Sequence, residues 1–425
     1  MKILFLEIET ASDWGLASPG PGHLAAFIRP HGHQAALLRV PKSLGEGQLR
    51  AAVAKERPDI LGLSLTARQW PRARPLAQAL KRQFAVPIIA GGLQATFASE
   101  HLLASGGFDY ACIGEGEEAL LELLDALEHG AGGPLPPIRN LRRPGEPPPS
   151  LRPPLPDLDR LPFVARDLLD ERHGVLHLST QRGCPFPCTY CAAGRIAALY
   201  PNHRYQRRRS VANVLAELRH LRETGPVNYL VFLDDTFTLN PPWVEAFCRD
   251  YGREFAIGFS INARVETVTP QLLGRLAAAG CRHVIYGVES GSPRIRREVL
   301  KRPTQEERFL HAFQWTRQAG LLATANYLLG LPGETPADIE QTLALHERLA
   351  PDDFGFFVFR PYPGTSLFEL CRAQGYLLEG HEERPLADDQ SALRMPDLPA
   401  EEIASYYHRF AELRAELYRR RYAGH

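Results

Sequence analysis

The 425-residue chain is short of three things: net charge, methionine and long apolar runs. Lys plus Arg is 49 and Asp plus Glu is 49, so global charge argues for neither nucleic acid nor a membrane surface as partner. Two methionines exclude an adaptable Met-rich binding surface. No apolar run approaches the roughly 20 residues that span a bilayer. The start, MKILFLEIETASDWG, carries acidic residues where a signal peptide would need an uninterrupted apolar stretch, and it reads as a first β-strand. A cytoplasmic protein is the expectation. The seven cysteines are an odd number, and three of them crowd into positions 184–191. That pattern argues against a disulfide scaffold and for metal or catalytic use in a reducing compartment.

Apolar content is 44% and charged content 23%, the texture of a globular chain long enough for two or three domains. Residues 1–130 alternate apolar runs (KILFLEI, AALLRV, DILGLSL, VPIIAGG, FDYACIGEG) with helical patterns, TFASEHLLASG among them. Strict β/α alternation with nearly all-apolar strands predicts an open parallel sheet covered on both faces, with ligands at the carboxyl ends of its strands. Residues 131–165 are rich in Pro and Gly (GAGGPLPP, RRPGEPPPSLRPPLPDLDRLP) and read as an extended connector wrapped on the surface. Residues 166–368 return to β/α texture. VLHLST, NYLVFLDD, AIGFSIN, HVIYGVES, ATANYLLGLPG and FGFFVFRPY are the expected strands, too few for an eight-stranded barrel and right for a partial barrel of six βα units. Residues 369–425 lack strand patterns. EEIASYYHRFAELRAELYRRRY predicts a terminal helix, and this region is expected to cover the barrel mouth.

QRGCPFPCTYC places Cys184, Cys188 and Cys191 in a loop directly after VLHLST, with Gly183, Pro185 and Pro187 opposing helix. Soft thiolates in a tight loop suit an iron–sulfur cluster or zinc. A closed structural site needs four ligands, and three leave a metal position open. The competing readings are a zinc site completed by His177 or His203, and three unrelated core cysteines. Cys112, Cys248, Cys281 and Cys371 lie in apolar patterns and read as core.

With this motif after the first barrel strand, the sequence resembles the radical S-adenosylmethionine (SAM) superfamily. The resemblance implies a [4Fe–4S] cluster on Cys184, Cys188 and Cys191. Its fourth iron would take SAM, whose reductive cleavage yields a 5′-deoxyadenosyl radical. Tyr190 would shield the cluster or touch SAM. VFLDDTF puts Asp234 and Asp235 at the second strand end, where the resemblance suggests that one of them holds the SAM amino group; a helix N-cap pair is the other reading. The superfamily's usual glycine-glycine-glutamate form is absent there. INARVET puts Arg264 at the next strand end, suited to the SAM carboxylate or to an ordinary salt bridge. HVIYGVESGS offers Glu289 and Ser290 for ribose hydroxyls or the amine, or for helix capping. NYLLGLPGET and RPYPGT are turns suited to close approach of adenine. No catalytic residue proper is legible.

Residues 1–130 resemble the Rossmann-like cobalamin domain upstream of many radical SAM barrels, through SPGPGHLAAFIRPHGH, DILGLSLT, IIAGGLQATF and DYACIGEGEEALLELL. The resemblance implies that Gly91, Gly92, Gly114 and Gly116 let a corrin approach the backbone, with Ser64, Thr66 and Thr96 offering hydroxyls. The DxHxxG motif, whose histidine ligates cobalt in many such domains, is absent. A sheet that keeps the shape and binds nothing is the alternative. The family implies methylation of an unactivated carbon, or of phosphorus, in a small-molecule or natural-product substrate, with a flavodoxin- or ferredoxin-type electron donor. Radical cyclisation, rearrangement or oxidation without methyl transfer stays open, as does a metal-binding interaction module. A methylthiotransferase would need three further clustered cysteines near the N-terminus, where Cys112 stands alone.

Overall fold

A computed structural model describes residues 1–10, 19–130, 135–169 and 171–422. The chain forms two units, one comprising 1–172, 196–205 and 382–385, the other 173–195, 206–381 and 386–425.

The first unit alternates β1 (Lys2–Ile8), α1 (Pro19–Ile28), β2 (Gln34–Val40), α2 (Glu46–Glu56), β3 (Ile60–Ser64), α3 (Trp70–Gln83), β4 (Ile88–Gly91), α4 (Gly92–Phe97), α5 (Ser99–Ala104), β5 (Tyr110–Cys112), α6 (Glu117–His129) and β6 (Leu141–Arg142). Strand order is β2-β1-β3-β4-β5-β6, and all pairs are parallel except β5 with β6. The period-2 alternation of β1 explains the two-faced burial. Leu4 and Leu6 face one core with Leu49, Val53, Ala73 and Ala77, while Ile3 and Phe5 face the other with Ala25, Ile28, Leu120 and Leu123. The order reverses between β1 and β3, so the ligand crevice of this Rossmann-like sheet lies at the carboxyl ends of its central strands. TFASEHLL, expected as part of one helix, is broken at Ala98 (φ −134°, ψ 34°) into α4 and α5.

The Pro-rich connector is part of this unit. Ile138, Leu141, Leu158 and Ala165 are buried, and Leu141–Arg142 extends the sheet. Proline forbids a helix here, yet Ile138, Leu141 and Ala165 join the core on one face of the sheet. Residues 131–134 of the connector, and Ser18 of the SPGPG segment, lie outside the described residues.

The second unit runs β7 (Val175–Leu178), β8 (Gln181–Arg182), α7 (Ala192–Ala198), β9 (Arg207–Arg208), α8 (Val211–Thr224), β10 (Tyr229–Phe232), α9 (Pro241–Glu254), β11 (Gly258–Ala263), α10 (Pro270–Ala278), β12 (Cys281–Glu289), α11 (Glu306–Gln318), β13 (Leu322–Leu329), α12 (Pro336–Leu349), β14 (Asp353–Val358), α13 (Ser366–Ala373) and α14 (Ala400–Tyr422). The last turn of α7 counts with the first unit. Six strands pair in parallel in the order β14-β13-β12-β11-β10-β7, the expected partial barrel, while β8 and β9 form a small antiparallel pair. Ser210, Asn240, Thr269 and Thr365 cap α8, α9, α10 and α13 with their side chains.

Leu230, Phe232, Phe259, Ile261, Val284, Tyr286, Ala325 and Tyr327 point to the helices and are fully buried. Each such side chain of Val or Leu size or larger contributes about 1.5–3 kcal/mol. The alternate residues Val231, Asn262, Ile285 and Asn326 are only partly buried on the other face, which is free to receive a ligand. The helix α14 departs from expectation. Its Tyr407 and Phe410 stack against Phe354 and Phe356 on the helix-covered face of β14, and only its first turn, through Ile403, reaches the strand-end turn at Gly330. Its aromatic stripe packs on the outer face of β13 and β14, against Tyr327, Phe354 and Phe356. Among the described residues no helix is long and apolar enough to cross a membrane.

Candidate active site

Cys184, Cys188 and Cys191 stand between β8 and α7, partly exposed and unbridged. Thr189 ties the loop down: its hydroxyl donates to the Val299 carbonyl (2.7 Å), and its own carbonyl accepts from Leu367 N (3.0 Å). The first contact falls on a π-helical turn, Ile295–Val299, a form that concentrates at functional sites. Among the described residues the three sulfurs do not form a preassembled cluster of ligand atoms within 4.8 Å of one another. Three soft thiolates in one loop, with a metal position left open, suit a polynuclear iron–sulfur cluster. Burial pushes the Cys184 thiol up and the Cys191 thiol to about 11, and the Asp235 carboxylate acts in the same direction on both. A bound cation reverses that pressure. Cys112, Cys248, Cys281 and Cys371 are buried, as the sequence leads one to expect.

Asp234 and Asp235 are adjacent and have opposite surroundings. Asp234 is buried and accepts from Thr180 N (2.7 Å), Thr180 Oγ1 (2.6 Å) and Gln181 N (2.9 Å). It buttresses the segment that leads into the cysteine loop. Asp235 has open surface, and its carboxylate has no hydrogen-bond partner among the described residues. It nonetheless lies in a recess that raises its pKa by desolvation.

At the next layer, Tyr190 donates its hydroxyl to Glu289 Oε1 (2.9 Å). Arg302 donates through NH1 to Tyr190 Oη and to Glu289 Oε1 (both 3.1 Å), and through NH2 to the Gly287 carbonyl (3.0 Å). Arg302 is 4% exposed and Glu289 12%. Burial raises the Glu289 carboxyl against the pull of Arg302, and raises the Tyr190 phenol with help from the Glu289 charge. Arg302 stays firmly cationic despite burial, because Tyr190 and Glu289 surround it with negative potential. Glu289 is held at φ 67°, in the left-handed region. A Cβ on Gly287 would stand 2.4 Å from Glu289 Oε1, so a side chain there would push the carboxylate from its present place. Ser290 is fully buried, and its Oγ meets Thr342 Oγ1 (3.5 Å) and accepts from Ser292 N (3.2 Å). Arg264 donates to Cys188 Sγ (3.1 Å) and is clamped by Glu266. The NYLLGLPGET turn is organised by Glu334, whose Oε2 accepts from Gly330 N (2.7 Å) and Leu331 N (3.0 Å) while Oε1 is buried without a partner.

In the first unit, Ser64 and Gly91 are register partners at the ends of β3 and β4. Nothing lies within 4 Å of where a Cβ on Gly91 would stand. Gly92 makes the turn beside it. Thr66 Oγ1 donates to Gln69 Oε1 (3.2 Å), and Thr96 Oγ1 donates to the Gly92 carbonyl (2.8 Å) while accepting from Gly114 N (3.1 Å). Gly114 (φ 79°) has a different reason to be glycine: a Cβ would stand 2.1 Å from the Tyr200 hydroxyl, in the 196–205 segment that folds with this unit. Gly116 packs against Cys112 and Leu24. The open floor at Gly91, and a buried Gln94 whose Oε1 has no partner, fit a ligand lying on the β3 and β4 ends. Sequence reading missed Thr189, Glu266, Arg302, Glu334 and Gln94. Only Glu334, at the end of a Gly/Pro turn, carried a local signal.

Comparison with known proteins agrees with this geometry. The model of the radical SAM superfamily matches residues 178–346, and that of the B12 binding domain matches 19–124. An uncharacterized methyltransferase of Pyrococcus horikoshii is 30% identical over 397 residues, covering 89% of this chain and 84% of the relative. The anaerobic magnesium-protoporphyrin IX monomethyl ester cyclase of Rubrivivax gelatinosus is 24% identical over 401 residues, covering 87% and 70%. Among solved structures, the radical SAM methyltransferase TsrM of Kitasatospora setae, with cobalamin and a [4Fe–4S] cluster bound, superposes with a TM-score of 0.70 at 19% identity, covering 95% of this chain and 80% of that one. The chain belongs to the radical SAM superfamily, as one of its cobalamin-binding enzymes, with a [4Fe–4S] cluster, SAM and cobalamin as its cofactors.

Proposed function

We propose that this enzyme methylates an unactivated carbon of a small-molecule substrate. The observation that carries the reading is the set of three free thiols in one loop, Cys184, Cys188 and Cys191, on a parallel partial barrel, in a chain that also has a B12-binding domain. Three thiolates leave one iron of a four-iron cluster for SAM. When bound, SAM supplies the hydrogen-abstracting radical and cobalamin the methyl group. The chain's residues position and shield. We assign Asp235, open and unpaired among the described residues, to accept from the SAM ammonium. Glu289, oriented by Tyr190 and Arg302, is placed to accept from ribose hydroxyls. Val231 and Ile285 give the barrel wall apolar surface that keeps water from a reactive intermediate. Ser64, Gly91 and Gly92 are the part of the β3 and β4 rim that we assign to cobalamin. A flavodoxin- or ferredoxin-type protein supplies the electron.

The second reading, radical cyclisation or oxidation without methyl transfer, is favoured by the similarity to the Rubrivivax cyclase. Product counting separates the two. Anaerobically reconstituted enzyme is given SAM, a low-potential reductant and candidate substrates. Methyl transfer consumes two SAM per product and releases 5′-deoxyadenosine and S-adenosylhomocysteine in equal amounts. Substrate-dependent 5′-deoxyadenosine with no S-adenosylhomocysteine would overturn methylation. A colourless, zinc-containing protein that cannot cleave SAM would overturn both readings, and Cys188→Ala should abolish cleavage.

A further inference from the structure

Arg264 is fixed from two directions. Its Nε and NH2 meet Glu266 Oε2 and Oε1 at 3.2 and 3.1 Å, a two-point fork. Its guanidinium lies 3.8 Å from the centroid of the Phe186 ring, inside the cysteine motif. Glu266 is itself held by the Thr304 hydroxyl. What remains is NH1, which points at Cys188 Sγ from 3.1 Å. The side chain is 13% exposed, so water does little to screen it. Arginine keeps its charge at every working pH.

An N–H donor and a positive charge at a ligating sulfur stabilise the more negative, reduced cluster over the oxidised one. We propose that Arg264 sets the cluster's reduction potential through Cys188, raising it, and that it is not the ligand of the SAM carboxylate. Arg264 is thus a positioning residue for charge, held in place by Phe186 and Glu266. The inference rests on the assignment of the cluster to the three cysteines.

The test is an EPR-monitored redox titration of the reconstituted holoenzyme without SAM, alongside SAM binding by equilibrium dialysis. Arg264→Gln should lower the equilibrium constant for cluster reduction on the order of tenfold, a shift of about 59 mV to more negative potential for one electron. Iron and sulfide content should match wild type, and SAM affinity should change less than the potential does. Glu266→Gln, which removes the countercharge and leaves the arginine, should shift the potential the other way. It decides the matter if Arg264→Gln fails to load a cluster. An unchanged or more positive midpoint in Arg264→Gln would overturn the proposal. So would a large loss of SAM affinity with an unchanged SAM-free midpoint, which would return Arg264 to the SAM carboxylate. Wild-type protein that takes up no iron would remove the cluster assignment itself, and iron analysis tells that failure from the other two.

Discussion

Replacing Arg302 by Gln should be among the most damaging single changes in the second unit. The wild-type guanidinium is 4% exposed and serves Glu289, Tyr190 and the Gly287 carbonyl with three donors. Glutamine can replace one of them and carries no charge. Removing one partner of a buried ion pair costs about 3–5 kcal/mol, because the other charge is left in a poorly solvating site. That is a large part of the roughly 5–15 kcal/mol that holds a domain folded. The sign with pH follows. In the variant, Glu289 has a folded pKa well above its unfolded one, since burial already raises it in the presence of Arg302. Its protonated form is the one that folds well, so stability is retained at low pH and lost as pH rises. The slope is at most about 1.4 kcal/mol per unit below the folded pKa and levels off above it. Urea denaturation followed by circular dichroism between about pH 5 and 8 reads both effects. The double variant Arg302→Gln with Glu289→Gln should recover at least about 1.5 kcal/mol, a coupling expected of residues in one network. A loss below about 1 kcal/mol at the top of the range, or a loss that does not change with pH, would refute the argument, for either result means water reaches Glu289.

The neighbouring acids should part company on mutation. Asp234→Asn should destabilise by about 1–3 kcal/mol through its Thr180 and Gln181 bonds, whereas Asp235→Asn should leave the melting temperature in place and weaken SAM binding about tenfold or more, as loss of one charged hydrogen bond requires. Calorimetry and equilibrium dialysis check the pair, and reversed phenotypes would contradict the assignment. Glu334 has a pKa raised to about 8 by burial, so its contribution to stability is present below the ordinary Glu range and is lost as pH rises toward 8. Glu334→Gln should flatten that slope in thermal melts, and parallel slopes for variant and wild type would count against it. Gly114→Ala must push a methyl into the Tyr200 hydroxyl at a left-handed φ, which should cost about 2–4 kcal/mol. Tyr200→Ala in the same chain should return part of that loss in denaturant titrations, and no recovery would show that the clash lies elsewhere.

What the sequence by itself determined is what short range can encode. Short all-apolar runs such as KILFLEI and helical periods such as VANVLAELRHLRE fix each element's type, because a strand buried on both faces and a helix buried on one leave water in different patterns. Their strict alternation dictates parallel sheets, since parallel strands need crossovers. The spacing of Cys184, Cys188 and Cys191 is local too, three thiols in one loop that proline keeps from becoming helix. What only tertiary structure decided is which side chains meet across the chain. Tyr190 and Arg302 are 112 positions apart, and no spacing rule connects them. Asp234 and Asp235 are indistinguishable in sequence, yet one turns inward to Thr180 and the other stays open, because consecutive residues at a strand end face opposite ways. The connector was legible as Pro-rich but not as the strand that completes β5, and the 196–205 segment gave no sign that Tyr200 would pack on Gly114. Each of these depends on burial of polar groups that must find partners. Such a partner is chosen by the fold, from whatever residues the sheets bring within reach.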